Sequence, residues 1–127
     1  MKEIVLDSGF LIALERRNPR AYEVQELLYR AGAVAHVPTG VVAQVWRDDP
    51  RQQILARLLK GKAFQPHPLD MRAARRVGAG ALLARSGTGD VIDGHVTVLA
   101  GDLNATVFTS DPDDITKLDP TLTVVHV

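Results

Sequence analysis

The chain of 127 residues contains no cysteine. That excludes a disulfide scaffold, a zinc–thiolate site and a thiol nucleophile. It has no apolar run approaching the ~20 residues that span a bilayer. Its opening, MKEIVLDSGF, has too short an apolar stretch for a signal peptide, and an acidic residue interrupts it. The expected setting is a reducing cytoplasm. No internal repeat, low-complexity tract or linker divides the sequence, so a single domain over residues 1–127 is expected. Net charge is also absent. What is present is 46% hydrophobic and 24% charged residues, the balance of a globular chain rather than a disordered one.

The zero net charge hides a division. Residues 1–85 hold 14 of the 15 Lys and Arg but only 8 of the 15 Asp and Glu. Residues 86–127 hold one basic residue, Lys117, against 7 acidic ones. Arginine makes up 11 of the 15 basic residues, and its planar fork suits phosphate and carboxylate partners. The division permits an anionic substrate held by one half and a carboxylate site in the other. Solvated helix faces give the same pattern.

Short apolar runs alternate with longer amphipathic ones. Glu3–Leu6 (EIVL) reads as a strand buried on both faces. Asp7 and Ser8 then cap a helix from about Gly9. A second helix is expected over 20–29, stopped by Gly32, and a second strand over 33–37. Thr39 is positioned to cap a short helix through Val42, Val45 and Trp46. Asp49 and Pro50 start a helix that ends at Gly61. A third strand within 63–69 is confined to an edge by Pro66 and Pro68. Asp70 caps a long helix over 70–85, weakened by Gly78 and Gly80. Asp90 begins another, followed by a strand over 105–109, a helical turn from Pro112 and a last strand over 122–127. Strands alternating with helices indicate an α/β fold with a mostly parallel five-stranded sheet flanked by helices.

Two carboxylates stand at the exits of buried strands: Asp7 after EIVL and Asp111 after TVFTS. In an open parallel sheet, ligands sit at the carboxyl ends of strands. If the first and fourth strands are neighbours, these two acids share a crevice. Asp90 and Asp93, three apart, lie on one face of the late helix. Clustered carboxylates repel and resist joint ionisation unless a cation neutralises them. Oxygen-only ligation suits Mg²⁺ or Mn²⁺, and phosphodiester hydrolysis is the reaction such a centre serves. Ser8 and Thr109 are placed to orient the carboxylates. Helix capping explains Asp7, Asp90 and Asp111 equally well. Asp93, inside the helix, has no capping duty. Asp113 and Asp114 read first as first-turn charges favoured by the helix dipole and second as accessories of a metal site. Trp46 reads as core or dimer interface. His36 and His126 read as packed strand residues, His67 as a loop residue. Arg72, Arg75, Arg76 and Arg85 read first as a solvated helix face, and are otherwise the strongest candidates for a patch facing a polyanion.

The order of elements, LDSGFLIAL at the start, VIDGHVTVLA in the late helix and FTSDPDDI after the fourth strand together resemble the PIN-domain family. Within it they look most like the VapC-like toxin ribonucleases of type II toxin–antitoxin pairs. The likeness covers essentially the whole chain. It implies a parallel five-stranded sheet between helices and a Mg²⁺- or Mn²⁺-dependent endoribonuclease, in which an ion-activated water cleaves RNA to a 5′-phosphate and a 3′-hydroxyl. It also implies a homodimer and an antitoxin partner. The family's acidic positions fall on Asp7, Asp93 and Asp111, with Asp90 as an extra carboxylate and Thr109 as the threonine of Thr-x-Asp. One position departs: many members carry Glu in the short helix after the second strand, and here it is Gln44. An amide hydrogen-bonds but carries no charge. Arg47, three residues on, is placed to contact a phosphate or to pair with a carboxylate.

Two functions of different kinds are therefore expected to compete. One is the metal-dependent endoribonuclease, with Asp7, Asp93 and Asp111 as catalytic ligands and Asp90 assisting. The other is a catalytically silent PIN-fold module that binds RNA or an antitoxin. A phospho-accepting receiver domain fits poorly, because Asp7 is alone after its strand and no Lys follows the last one.

Overall fold

A computed structural model describes residues 2–82 and 90–127. Its strands are β1 (Glu3–Leu6), β2 (Val34–Pro38), β3 (Phe64–His67), β4 (Thr106–Thr109) and β5 (Val124–His126). They form one sheet in the order β3-β2-β1-β4-β5, and all four pairings are parallel. The flavodoxin-type order of receiver domains, 2-1-3-4-5, is not this one. Seven helices flank the sheet among the described residues: α1 (Ser8–Glu15), α2 (Pro19–Arg30), α3 (Thr39–Val45), α4 (Gln53–Lys60), α5 (Met71–Arg76), α6 (Val91–Leu103) and α7 (Pro112–Leu118). None is long and apolar enough to cross a membrane.

The strand runs form as read because they are apolar on both faces. Ile4, Val5 and Leu6 are at most 2% exposed, and Val37 and Val107 are fully buried. Each such side chain contributes roughly 1.5–3 kcal/mol of burial. Phe10 of α1 meets Phe108 of β4 edge to face at 6.2 Å, which pins the first turn of α1 to the sheet. β3 lies at an edge, as its two prolines require.

Parallel pairing sends every connection back across the sheet. α1, α3, α5 and α7 each leave the carboxyl end of a strand, and α6 leads back to the amino end of β4. The N-termini of all five thus gather at the carboxyl edge. Chain direction across the sheet reverses between β1 and β4, the switch point where open α/β sheets bind ligands.

Several local readings differ from the structure. α2 starts at Pro19, capped by the Asn18 side chain, which accepts from the Arg20 and Ala21 N–H groups at 2.9 and 3.2 Å. Thr39 does not cap α3: it is the first helical residue, and Pro38 in the cap position has no side-chain acceptor. The helix that Asp70 caps ends at Arg76 and widens into a π-helical turn, Val77–Leu82. Its expected remainder, including Arg85, lies outside the described residues. Trp46 is 36% exposed rather than buried in the core. His67 ends β3 instead of lying in a loop, and its Nε2 is 2.8 Å from Nδ1 of buried His36, whose other nitrogen meets Glu3. His126 is exposed.

Candidate functional site

The β1–β4 register pairs Leu6 with Phe108, so Asp7 and Thr109 leave the sheet side by side. Asp7 is 8% exposed. It does cap α1, with its Oδ1 accepting the Phe10 N–H at 3.0 Å. Capping does not exhaust it, because its carboxylate also accepts from the Thr109 hydroxyl. Burial pushes the Asp7 carboxyl above its usual range, the hydrogen bonds from Thr109, Phe10 and Gly9 pull it back, and the charge of Asp111 pushes it up again.

Thr109 is completely buried. Its Oγ1 also accepts the backbone N–H of Asp111 at 2.9 Å, so one hydroxyl ties both strand exits together. Ser8, expected to share this task, makes no side-chain hydrogen bond among the described residues. Asp111 occupies the cap position of α7, but its carboxylate accepts no capping N–H. It is exposed and faces Asp114.

Asp90 caps α6 by accepting the Asp93 N–H at 3.0 Å. Asp93, half-buried in the first turn, is pushed up to about 7. Burial is the main cause, followed by the charge and hydrogen bond of Asp90 and the charges of Asp114 and Asp7. Asp114 is also raised, first by its hydrogen bond with Asp111. Of the two readings of Asp114, a dipole charge first and a metal-site accessory second, the structure favours the second, because Asp114 joins the cluster. Its place three residues after Asp111, on the same turn of α7, was the available signal.

Asp7, Asp90, Asp93, Asp111 and Asp114 thus act on one another, and Lys117 tempers Asp114. The donor set is entirely hard oxygen, which suits Mg²⁺ or Mn²⁺. A cation would relieve the repulsion that raises Asp93. Among the described residues, no three His, Asp or Glu side chains close on a common point as ligands around an ion do. The carboxylates share a field without converging.

Gln44 is exposed in the last turn of α3, four residues after Gly40 and so on the same helical face. A Cβ added to Gly40 would lie 3.2 Å from Ile92 Cγ1, so that face approaches the start of α6 beside Asp93. Arg47 does not reach toward a phosphate here. Its guanidinium pairs with Glu15 at 2.8 Å, at the far end of α1, about 12 Å along the helix from Asp7. Buried Gln52 completes that knot: it accepts the Arg47 N–H at 2.8 Å and donates to the Val45 carbonyl at 2.8 Å and to Glu15. Arg76 is likewise engaged, bonded to Asp102 at 2.6 Å.

The PIN domain family model matches residues 4–119, and the chain belongs to that family. PIN domains are in general nucleases. No curated protein sequence gives a significant match. Solved structures share the fold. VapBC2 from Rickettsia felis, bound to a DNA fragment from its promoter, superposes with TM-score 0.64 at 17% identity, covering 98% of each chain. FitAcB from Neisseria gonorrhoeae gives 0.67 at 18% identity, over 97% of this chain and 96% of the other. FitAB bound to IR36 DNA gives 0.61 at 17% identity, over 97% and 94%.

Proposed function

We propose that the chain is a Mg²⁺- or Mn²⁺-dependent endoribonuclease, the cytoplasmic toxin of a toxin–antitoxin pair, working as a homodimer and restrained by an antitoxin protein. The observation that carries the reading is the gathering of Asp7, Asp93 and Asp111 at the β1–β4 switch point, where the charge of Asp111 pushes up Asp7 and the charge of Asp7 pushes up Asp93. Family membership supports nuclease chemistry, and the VapBC2 and FitAB likenesses support the antitoxin partner.

Asp7, Asp93 and Asp111 would hold the ion, with Asp90 and Asp114 assisting. Bound there, a divalent ion supplies neutralisation of phosphoryl charge and a lowered pKa for water. The chain's own residues do the positioning. Thr109 holds the Asp7 carboxylate and the Asp111 backbone in fixed relation. Asp90 keeps the first turn of α6 wound, which sets Asp93 toward the crevice. Gln44, an uncharged donor and acceptor, is available to a phosphate oxygen or a water without adding to the negative field. The expected products are a 5′-phosphate and a 3′-hydroxyl.

The test is cleavage of single-stranded RNA with Mg²⁺ or Mn²⁺ by wild type and Asp7→Asn. The variant is expected to lose at least a hundredfold in rate; equal rates would remove the site assignment. Gln44 favours a second reading, a silent module that binds RNA or antitoxin without turnover. Wild type would then bind and not cleave, and Gln44→Glu would gain cleavage.

A further inference from the structure

A cationic feature lies at the end of α1 opposite the carboxylates. Arg17, Tyr22, Arg51, Gln53, Ile54 and Arg57 line a concavity of about 270 Å³. No acidic side chain lines it. Arg51 is paired with Asp49 through two bonds, at 3.0 and 2.9 Å, which occupy its guanidinium fork. Arg17 and Arg57 form no ion pair among the described residues. Tyr22 is 37% exposed and lines the concavity with them.

Arg17 stands where the backbone asks for something else. The Arg17 N–H donates to the Leu14 carbonyl at 3.1 Å and the Asn18 N–H to the Ala13 carbonyl at 3.0 Å, the paired bonds of a Schellman helix end. Its φ is +61°, a left-handed conformation that is strained for a residue with a side chain. α2 ends in the same pair of bonds, from Gly32 and Ala33, with Gly32 at φ +67°. α6 ends so with Asn104 at φ +50°. Two of the three helix ends use the residues this geometry favours, and the third places an arginine at a pocket containing two others.

A nuclease with five aspartates in its crevice repels a polyanion and needs its hold on phosphate elsewhere. Arg47, Arg51 and Arg76 are already neutralised by Glu15, Asp49 and Asp102. We propose that Arg17 and Arg57, the two arginines of the concavity without an ion pair among the described residues, form a phosphate-binding pocket that holds a backbone phosphate of the RNA strand away from the carboxylates. This rests on the RNA reading of the proposed function. Arginine forks and an adjacent aromatic are the combination that tracks single-stranded nucleic acid.

The experiment measures binding of a fluorescein-labelled 20-nucleotide single-stranded RNA to the full chain in EDTA, across a salt series. Arg17→Gly and Arg57→Gln are each expected to weaken binding about three- to tenfold. Each should also reduce the slope of log K against log salt by about 0.7. Arg17→Gly should melt no lower than wild type, because glycine suits the position. Arg30→Gln, at an arginine outside the pocket, controls for general charge. If wild type binds and cleaves RNA while both pocket variants bind it unchanged, the pocket proposal is overturned and the nuclease reading stands. If wild type neither binds nor cleaves RNA, that reading fails, and inorganic pyrophosphate decides the pocket. Saturable NMR shifts at Tyr22 and Arg57, lost in Arg57→Gln, would identify a free phosphate compound as the source. No shifts would overturn the pocket.

Discussion

The Thr109 hydroxyl donates to the Asp7 carboxylate across the seam between β4 and β1. Because the same oxygen accepts the Asp111 N–H, Thr109→Val removes both bonds while keeping the side chain's shape. Hydrogen bonds to charged groups contribute about 1.5–3 kcal/mol, so a loss of stability of that order is expected. Without this bond, burial pushes the Asp7 carboxyl still higher. Urea unfolding in EDTA measures the effect, as a lower midpoint with an unchanged slope. An unchanged midpoint would show that the bond contributes nothing.

Asp93 gives the metal-free protein a pH dependence with a definite sign. Its pKa is about 7 in the folded chain against an ordinary value of 3.8. Between those values the folded state holds more protons than the unfolded state, so stability falls as pH rises. In EDTA the wild type should melt higher at pH 5 than at pH 8. Asp93→Asn should flatten that difference, and Mg²⁺ or Mn²⁺ at pH 8 should restore the lost degrees in wild type alone. A melting temperature that rises from pH 5 to pH 8 in EDTA would contradict the placement of Asp93.

The strands were legible because EIVL, the run over 33–37 and TVFT are apolar enough to be buried on both faces, and burial depends on composition more than on partners. Asp7 and Asp111 were legible for the same reason, since an acid at the end of such a run must exit the sheet. Arg47 was legible in part: pairing with a carboxylate was one of its two readings and is the one found, but Glu15 lies 32 residues away and only tertiary structure names it as the partner. Asp114 was obscured because a first-turn acid already has a sufficient local explanation. Thr39 failed as a cap because Pro38 completes β2 and the helix begins one residue earlier than its hydroxyl could serve.

The knot at Gln52 should matter for stability in a way its position outside the crevice does not suggest. Its side chain is fully buried and makes three hydrogen bonds. Gln52→Met preserves length and removes every polar atom. It leaves the Arg47 N–H and the Val45 carbonyl without these partners, at a cost of about 1–3 kcal/mol. Thermal and urea unfolding should report the same loss. Equal stability would mean that water or a shifted Glu15 takes over both groups.

Gly9 links the packing of the fold to the geometry of the carboxylates. An ideal Cβ there would lie 2.0 Å from Ser110 Oγ and 3.1 Å from both the Cβ and the backbone nitrogen of Ser110. The hydroxyl can rotate away, but the other two atoms move only if β4's exit moves. Ser110 sits between Thr109 and Asp111, so that movement separates Asp111 from Asp7. Gly9→Ala is therefore expected to cost about 1–3 kcal/mol from overpacking. It should also shrink the rise in melting temperature produced by Mg²⁺ or Mn²⁺. Adding Ser110→Gly removes the hydroxyl and Cβ and should recover most of both losses. If Gly9→Ala keeps the full metal response, the spacing of α1 and β4 does not set the separation of the two aspartates.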